Sequence, residues 1–467
     1  MAAAPPAQPA PSGRLTLEAL RAEAEAGSID TVVLALPDMW GKLTGKRFDA
    51  LHFVNHVAGH SAEMCSYVLA ADVLMNPVDF PLSNWANGHP DLQLVPDLDT
   101  LRVVPWIEGA ALVHGDAWMD GRPVSVAPRQ MLRRRLERLA ERGYTVKVGL
   151  ETEFVVYEGA YDRLVGEGPR AARPLSSGNR DYALDHDPRT TRFLRTLQRH
   201  LRGAGLPVEA VKTESAGGQV EITFPYGDPM AACDQHTLLK HAARATGYET
   251  GTSPTFMASP TPGVGSGLHL HVSLWDEEGL PVFPAAGGEM SAVTEHSVAG
   301  LLTALPELAP LYAGNENSYR RYSPETYAPT TVTWGLDNRT CAVRVVGPGT
   351  GNLHLEVRTP GANANPYLAL SAVLAAMEHG IDQALKTPAA TVGNAYEQNL
   401  APALPGSLEA ATAAFRTSRL AGDLLGHEVV EHYTLAAGIE TEAADATAGA
   451  GRDEVTAAEW ERWFAHA

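Results

Sequence analysis

The sequence predicts an α+β protein, and three observations support this class. The chain has 467 residues, of which 45% are hydrophobic, so it can bury a substantial core. Four segments in its larger C-terminal part alternate apolar and polar residues with the period of a β-strand. Helical patterns that start at Pro or end at Gly accompany these strands. We therefore expect a large mixed domain preceded by a smaller one.

The N-terminal elements can be assigned in order along the chain. MAAAPPAQPAPSG lacks the basic segment and the following apolar segment of a signal peptide. Residues 1–15 are therefore predicted to be a disordered tail. LTLEALRAEAEAG is predicted to be a helix ending at Gly27, and IDTVVLALPD a strand ending at Pro37. Short strands and turns follow, and a new helix starts at Pro128. The predicted domains are residues 16–118 and 119–467.

Composition and charge limit the classes of function. The net charge is −19, from 36 basic and 55 acidic residues, which disfavours nucleic acids and anionic membranes as partners. No apolar run is long enough to span a membrane. Cys65, Cys233 and Cys341 are scattered, which disfavours a disulfide framework and a zinc-cysteine site. We expect a cytoplasmic protein.

Four predicted strands share an unusual design, with one apolar face and one face rich in Glu and His. The segments are VKVGLETEFVVY (146–157), GQVEITF (218–224), GLHLHVSL (267–274) and NLHLEVRTP (352–360). The acidic and histidine residues on their polar faces are Glu151, Glu153, Glu221, His269, His271, His354 and Glu356. A half-exposed sheet explains one such strand, but it explains four poorly. Neighbouring carboxylates repel each other unless a cation lies between them.

These residue types favour a site for Mg²⁺ or Mn²⁺ and a phosphate. Carboxylates with an occasional imidazole suit these cations. An arginine cluster in an acidic protein indicates an anionic ligand, although solvated surface arginines remain the alternative. The cluster comprises Arg320, Arg321, Arg339, Arg344 and Arg358. No GxxxxGK[ST] loop is present, so we expect cations and arginines to hold the phosphate of ATP.

Six motifs, taken in order, resemble those of the type I glutamine synthetase family. They are ETEF, ESAGGQVEITF, GSGLHLHVSL, NSYRRYSP, DNRTCAVRV and LEVRTPGANANPYLAL. The resemblance covers nearly all of the chain from about residue 16. It implies an N-terminal β-grasp domain (16–118) and a catalytic domain (119–467) with a curved antiparallel sheet and surrounding helices. It also implies a homo-oligomer, a dodecamer with active sites between subunits.

The resemblance also implies roles for individual residues. The implied ligands of one divalent cation are Glu153, Glu214 and Glu221, and those of a second are Glu151, His269 and Glu356. The implied ATP contacts are Glu209, His271, Ser273 and Arg344. The implied glutamate contacts are Gly265, Arg321, Arg339 and Arg358, with Arg339 also catalytic at the transferring phosphate. The implied reaction activates glutamate as γ-glutamyl phosphate, which an amine then attacks.

Three positions depart from the family pattern where ammonium binds. The flap, which is the segment SPETYAP (323–329), carries Tyr327 where the family has Glu. The β-grasp loop reads EMCSYVL (63–69), around Met64, Cys65 and Ser66, where the family has Asp-Gly-Ser-Ser. Val264 replaces an Asn before the GSG turn. Losing two anions removes a site for a small cation and favours a bulkier amine that enters as a neutral nucleophile. We therefore predict a γ-glutamyl-amine ligase in which Tyr327 is a catalytic residue that contacts the amine.

Two alternatives stay open, and the amine is not fixed by the sequence. A glutamine synthetase could use Glu325 in place of the missing flap carboxylate, and an inert relative could retain only a structural or regulatory role. The loss of both anions favours ethanolamine slightly over polyamines. The family's adenylylated tyrosine has no counterpart near Ala401, which argues against that form of control.

Overall fold

The computed structural model describes residues 13–398, 401–445 and 454–467. Across these residues the strands form two sheets, of seven and eight strands, and the helices surround them. The predicted α+β class is confirmed. Among the helices of the described residues, none combines the length and the hydropathy needed to cross a bilayer.

The first sheet is built from residues 31–123. Its strand order is β2-β1-β6-β4-β3, with β5 and β7 also paired to β6. The strands are β1 (Thr31–Pro37), β2 (Leu43–Asp49), β3 (Ala62–Cys65), β4 (Asp91–Pro96), β5 (Arg102–Val103), β6 (Ala110–Met119) and β7 (Arg122–Pro123). β1 runs antiparallel to β2 and parallel to β6. The β-grasp assignment and the boundary at residue 118 stay predictions.

The second sheet carries the four polar-faced strands. Its order is β13-β14-β15-β12-β8-β10-β9, with β11 paired to β8. The strands are β8 (Thr145–Glu158), β9 (Ala210–Thr213), β10 (Gln219–Thr223), β11 (Thr252–Thr255), β12 (Leu268–Trp275), β13 (Trp334–Leu336), β14 (Val343–Val346) and β15 (His354–Val357). The pairs are antiparallel as predicted, except that β13 and β14 run parallel.

Helices cover the sheets and extend to the C-terminal end of the chain. They are α1 (Leu17–Glu25), α2 (Ala50–His52), α3 (Pro128–Ala140), α4 (Tyr161–Glu167), α5 (Pro188–Gly203), α6 (Pro229–Thr250), α7 (Ala292–Ala304), α8 (Glu316–Arg320), α9 (Pro366–Asp382), α10 (Leu408–Thr417), α11 (Arg419–Leu425), α12 (His427–Asp445) and α13 (Ala457–Trp463). A π-helical turn, Phe53–Val57, follows α2. Short 3-10 turns are Ser66–Leu69, Leu98–Thr100, Ala286–Gly288, Leu305–Leu311, Pro324–Thr326 and Ala395–Glu397.

The sequence signals at helix ends correspond to real caps. Pro128 occupies the first turn of α3, where its missing N–H costs nothing. Asn365 caps α9, and its side chain accepts hydrogen bonds from the N–H groups of Tyr367 and Leu368. The predicted tail is shorter than expected, because the backbone of Gly13 and Leu15 pairs with residues 101–103. Residues 1–12 of that tail lie outside the described residues.

A buried ionic network ties the first sheet to the helices of the second part. Arg129 of α3 lies at its centre, 1% exposed. Its guanidinium contacts Asp116 of β6 at 2.9 Å, Asp97 at 2.9 Å and Asp234 of α6 at 3.1 Å. Tyr367 of α9 donates its hydroxyl to Asp234 at 2.5 Å. These pairs fix the first sheet against α3, α6 and α9.

Candidate active site

The candidate site lies on the polar face of the second sheet, where β10, β8, β12, β15 and β14 are neighbours. Glu151 and Glu153 of β8 point to the same face because side chains alternate along a strand. Glu153 is paired directly with Glu221 of β10, and Glu151 with His269 of β12. Glu356 of β15 continues the row across the sheet.

One cluster of three carboxylates lies on the β10 side. Oxygen atoms of Glu153, Glu214 and Glu221 lie within 4.8 Å of one another. Burial and the charge of Glu153 raise the pKa of Glu214 to about 7. Burial and the charges of Glu151 and Glu153 raise the pKa of Glu221 to about 8. The ammonium of Lys212 lies 2.5 Å from Glu214 and 3.7 Å from Glu221. Its charge lowers both pKa values, but by less than burial and the neighbouring carboxylates raise them.

Glu153 is held in place by two donors that the sequence motifs did not single out as site groups. The backbone N–H of Gly267 donates to its carboxylate at 2.8 Å, and the Gln219 amide donates to the same oxygen at 3.1 Å. Gln219 also donates to the carbonyl of Gly265 at 2.8 Å. Gln219 and Lys212 lie on the polar faces of β10 and β9, and this was the signal available in the sequence.

A second cluster lies on the β12 side. The Nδ1 atom of His269 is 3.2 Å from Glu151 and 3.8 Å from Glu356. The Nε2 atom of His271 is 3.1 Å from the other oxygen of Glu151. Ligand atoms of Glu151, His271 and Glu356 also lie within 4.8 Å of one another. The family resemblance assigned His271 to ATP, whereas the structure brings both histidines to this cluster.

Glu356 is a buried anion with two arginine partners. Its side chain is 1% exposed, and it accepts hydrogen bonds from Arg344 at 2.9 Å and Arg358 at 2.5 Å. Burial alone raises the pKa of Glu356, but the charges of Arg358 and of His269 outweigh it and lower the pKa to about 2. The carboxylate is therefore ionised at neutral pH.

Both clusters have donor sets that fit a divalent cation. The first offers three carboxylates, and the second offers two carboxylates and an imidazole. Such sets suit Mg²⁺ or Mn²⁺. Burial and the charges of Glu151 and Glu153 raise the pKa of Glu221, and a bound cation would offset the part of this shift that the two charges cause.

A cavity of about 610 Å³ opens beside the second cluster. Its walls include all four predicted ATP contacts, which are Glu209, His271, Ser273 and Arg344. Lys147 and Trp275 also line it, with the ammonium 3.4 Å from the centre of the indole ring. The volume lies within the range of small-molecule sites.

His354 supports His271 on the wall of this cavity, a contact that the sequence did not predict. The Nδ1 atom of His354 is 2.8 Å from the carbonyl oxygen of Asn352, so we assign its hydrogen to Nδ1. The Nε2 atom of His354 then accepts from Nδ1 of His271 at 3.0 Å. This contact directs Nε2 of His271 at Glu151.

Three of the four predicted glutamate contacts, Arg321, Arg358 and Gly265, lie close to the clusters. Arg321 is buried and donates to the carbonyls of Arg358 and Thr359, both at 3.2 Å. The guanidinium of Arg358 donates to Glu356 and, at 3.3 Å, to the carbonyl of Tyr327. Gly265 is packed so closely against Thr326 that a Cβ would lie 2.5 Å from its side chain. The structure brings these residues together.

Two predicted residues have different surroundings from the rest. Arg339 is exposed and lines a separate cavity of about 380 Å³ with residues 336–338 and 390–393. The side chain of Tyr327 is 65% exposed and its backbone is left-handed, with φ 55°. Neither side chain lines the cavity beside the second cluster.

Comparison with known proteins decides the family. A family model described as the glutamine synthetase catalytic domain matches residues 125–461, more than half of the chain. The chain belongs to the glutamine synthetase family. The predicted enzyme class, an ATP-dependent carbon–nitrogen ligase, is confirmed with it.

Named relatives in this family include ligases that use organic amines. Gamma-glutamylethanolamide synthetase GlnA4 of Streptomyces coelicolor is 45% identical, over 92% of this chain and 93% of that protein. Glutamate–isopropylamine ligase of a Pseudomonas species is 33% identical, over 88% of this chain and 91% of that protein. A solved structure described as a GmaS/ADP complex has a TM-score of 0.80 at 26% identity, and the match covers 95% of this chain and 98% of that one.

Proposed function

We propose that this protein is a γ-glutamyl-amine ligase. It joins the γ-carboxylate of glutamate to a primary amine at the expense of ATP, with ethanolamine slightly preferred to polyamines. The observation that carries the proposal is the flap residue Tyr327, whose backbone is fixed on Arg358 and whose side chain is an uncharged aromatic ring. The similarity to amine ligases over nearly the whole chain supports it.

We assign the two clusters to two divalent cations. Glu153, Glu214 and Glu221 would hold one near glutamate, and Glu151, His269 and Glu356 would hold the other near the nucleotide, with His271 beside it. Bound Mg²⁺ or Mn²⁺ supplies positive charge to the phosphates of ATP. The chain's own part is to fix these carboxylates on adjacent strands, so that their spacing is set by the sheet.

ATP occupies the cavity of about 610 Å³ in this proposal. Arg344 lies at its wall, held by Glu356, and offers a fixed positive charge to a phosphate oxygen. Glu209 and Ser273 line the same wall. Arg339, which is exposed, would have to turn in to reach the transferring phosphate.

The chemistry takes two steps on glutamate. A γ-carboxylate oxygen attacks the terminal phosphorus of ATP, the bond to ADP breaks, and γ-glutamyl phosphate forms. The amine nitrogen then attacks the carbonyl carbon, phosphate leaves, and the nitrogen loses a proton. Arg321, Arg358 and Gly265 would hold glutamate for both steps, which lowers the cost of bringing the reactants together.

An ammonia-using glutamine synthetase is the second candidate. Glu325 lies on the same flap, exposed, and its carboxylate lies 3.8 Å from the position of a Cβ on Gly263. A carboxylate so placed could attract ammonium if the flap moved inward. The two candidates share the ATP and glutamate sites and differ only in the acceptor.

The deciding experiment measures phosphate release with ATP, glutamate and Mg²⁺ or Mn²⁺ against a panel of amines, with products identified by mass spectrometry. We expect glutamate-dependent release that ethanolamine or another primary amine stimulates, and little stimulation by ammonium. Strong saturable glutamine synthesis at millimolar ammonium would favour the second candidate. Absence of any glutamate-dependent turnover would favour an inert relative.

We also propose a cytoplasmic homo-oligomer, a dodecamer with sites between subunits, on the family resemblance alone. Light scattering of the purified protein would give the mass of the assembly. A monomeric mass together with full activity would contradict shared active sites.

A further inference from the structure

Tyr396 carries a buried polar atom that no other role explains. Its hydroxyl oxygen is shielded from solvent and has no hydrogen-bond partner among the described residues. A buried, unpaired hydroxyl costs stability and in native proteins calls for a missing partner. Burial raises the pKa of Tyr396, so the group remains an O–H donor at neutral pH.

The turn that carries Tyr396 is fixed to the arginine-bearing loop beside the site. Asn394 caps this turn by accepting from the N–H of Tyr396 at 3.1 Å. The N–H of Ala395 donates to the hydroxyl of Thr340 at 3.0 Å, and Asn338 donates to the carbonyl of Gly393 at 2.8 Å. The scaffold therefore fixes the backbone that carries the phenol, as expected of a binding group.

The surroundings of the hydroxyl indicate the missing partner. The charges that act most strongly on it are the guanidiniums of Arg358 and Arg321. Both arginines are at least 95% buried, and the Nε–H of each also lacks a partner among the described residues. None of the three donors has an acceptor among the described residues, and neither guanidinium can accept a hydrogen bond from the hydroxyl, so a bound anion is the group that would satisfy them.

We propose that Tyr396 is a substrate-binding residue whose hydroxyl donates a hydrogen bond to a carboxylate of glutamate that Arg358 also holds. The inference rests on the proposed function only in taking glutamate as the substrate. It places Tyr396 on the glutamate side of the reaction, while Tyr327 on the flap faces the acceptor amine.

The test is glutamate binding, measured by calorimetry on full-length protein with Mg²⁺ and ADP present, so that no turnover is needed. We expect Tyr396→Phe to weaken glutamate binding about tenfold, since a hydrogen bond to a charged group is lost. In turnover assays the KM for glutamate should rise, while the KM values for ATP and the amine stay within about twofold.

Two ligand analogues identify the carboxylate. Glutamine lacks the γ-carboxylate and isoglutamine lacks the α-carboxylate, so the effect of Tyr396→Phe should disappear with one of them. Tyr248→Phe, which changes an exposed tyrosine outside the site, is the matched control and should bind glutamate like the native protein. Thermal unfolding of both variants checks that they fold.

The outcomes separate the two proposals. Unchanged glutamate affinity in folded Tyr396→Phe, or a rise only in the KM for the amine, overturns the role of Tyr396. Glutamate binding that depends on Tyr396 in a protein that ligates no amine would support this inference while the proposed function failed.

Discussion

Glu153 and Glu221 lie directly opposite each other on adjacent antiparallel strands, so two carboxylates of the same charge form a cross-strand pair. Such a pair is ordinarily destabilising. Here it lies on one face with Glu214 and with Gln219, whose amide fixes the carboxylate of Glu153. This arrangement does not stabilise the sheet. Substituting one of the two carboxylates should therefore change the stability of the protein measurably.

Glu221→Gln should stabilise the protein in EDTA, and more so at high pH. The pKa of Glu221 is about 8 in the native state against 4.5 for a free glutamate, so the native state holds its proton more tightly than the unfolded state. The stability from this proton is fully present below pH 4.5 and is lost as the pH rises toward 8.

Urea unfolding at pH 5 and pH 8 measures this effect. We expect the variant to exceed the native protein by on the order of 2 kcal/mol at pH 8, and by less at pH 5. Adding Mn²⁺ should reverse the order by stabilising the native protein more. Equal pH dependence in the two proteins would show that the carboxylates do not repel as described.

His354→Phe should raise the KM for ATP about tenfold, because His271 loses the acceptor that directs it at Glu151. The KM for glutamate should change much less. Initial rates at varied ATP check this, and His354→Gln, which retains an acceptor, is the matched control. The same loss in both variants would point to packing and not to the hydrogen bond.

Tyr327→Glu should increase the ratio of ammonium to ethanolamine activity by about tenfold or more. A carboxylate at this position of the flap attracts a small cation more strongly than an uncharged aromatic ring does. The ratio of kcat/KM for the two acceptors is the measurement. Tyr327→Gln has a similar length to the Glu variant without the charge, and an equal change in that variant would remove the electrostatic explanation.

Arg129→Leu should destabilise the protein by about 3 to 5 kcal/mol, because it leaves three aspartates without their buried partner. Arg133 pairs with two of the same aspartates but is 37% exposed, so Arg133→Leu should cost about 1 kcal/mol or less. Thermal or urea unfolding checks both. Similar losses would show that burial does not set the strength of these pairs.

The strand alternation in the sequence predicted the second sheet well. The period of two fixes which face each side chain takes, so the amino-acid order alone was enough to predict the polar faces of β8, β10, β12 and β15. The caps of α3 and α9 were equally local signals. The cluster residues on these strands follow from the polar faces once the strands are adjacent, whereas Glu214 lies just after β9.

The features of the site that the sequence did not predict depend on strand register and on contacts between segments that are distant in the chain. His354 supports His271 only because β15 pairs with β12, and Lys212 lies beside Glu221 only because β9 pairs with β10. Tyr396 follows β15 by some forty residues and returns to the site through a turn held by Thr340. The exposure of Arg339 likewise depends on how its loop packs, which no local pattern specifies.

The backbone attachment of the flap has an evolutionary consequence. Arg358 holds position 327 through the carbonyl oxygen of Tyr327, an atom that every amino acid supplies. A mutation there can change the side chain offered to the acceptor while the anchor to the glutamate site persists. Acceptor preference can thus diversify by single substitutions without rebuilding the phosphate chemistry, and position 327 is a natural starting point for a selection library.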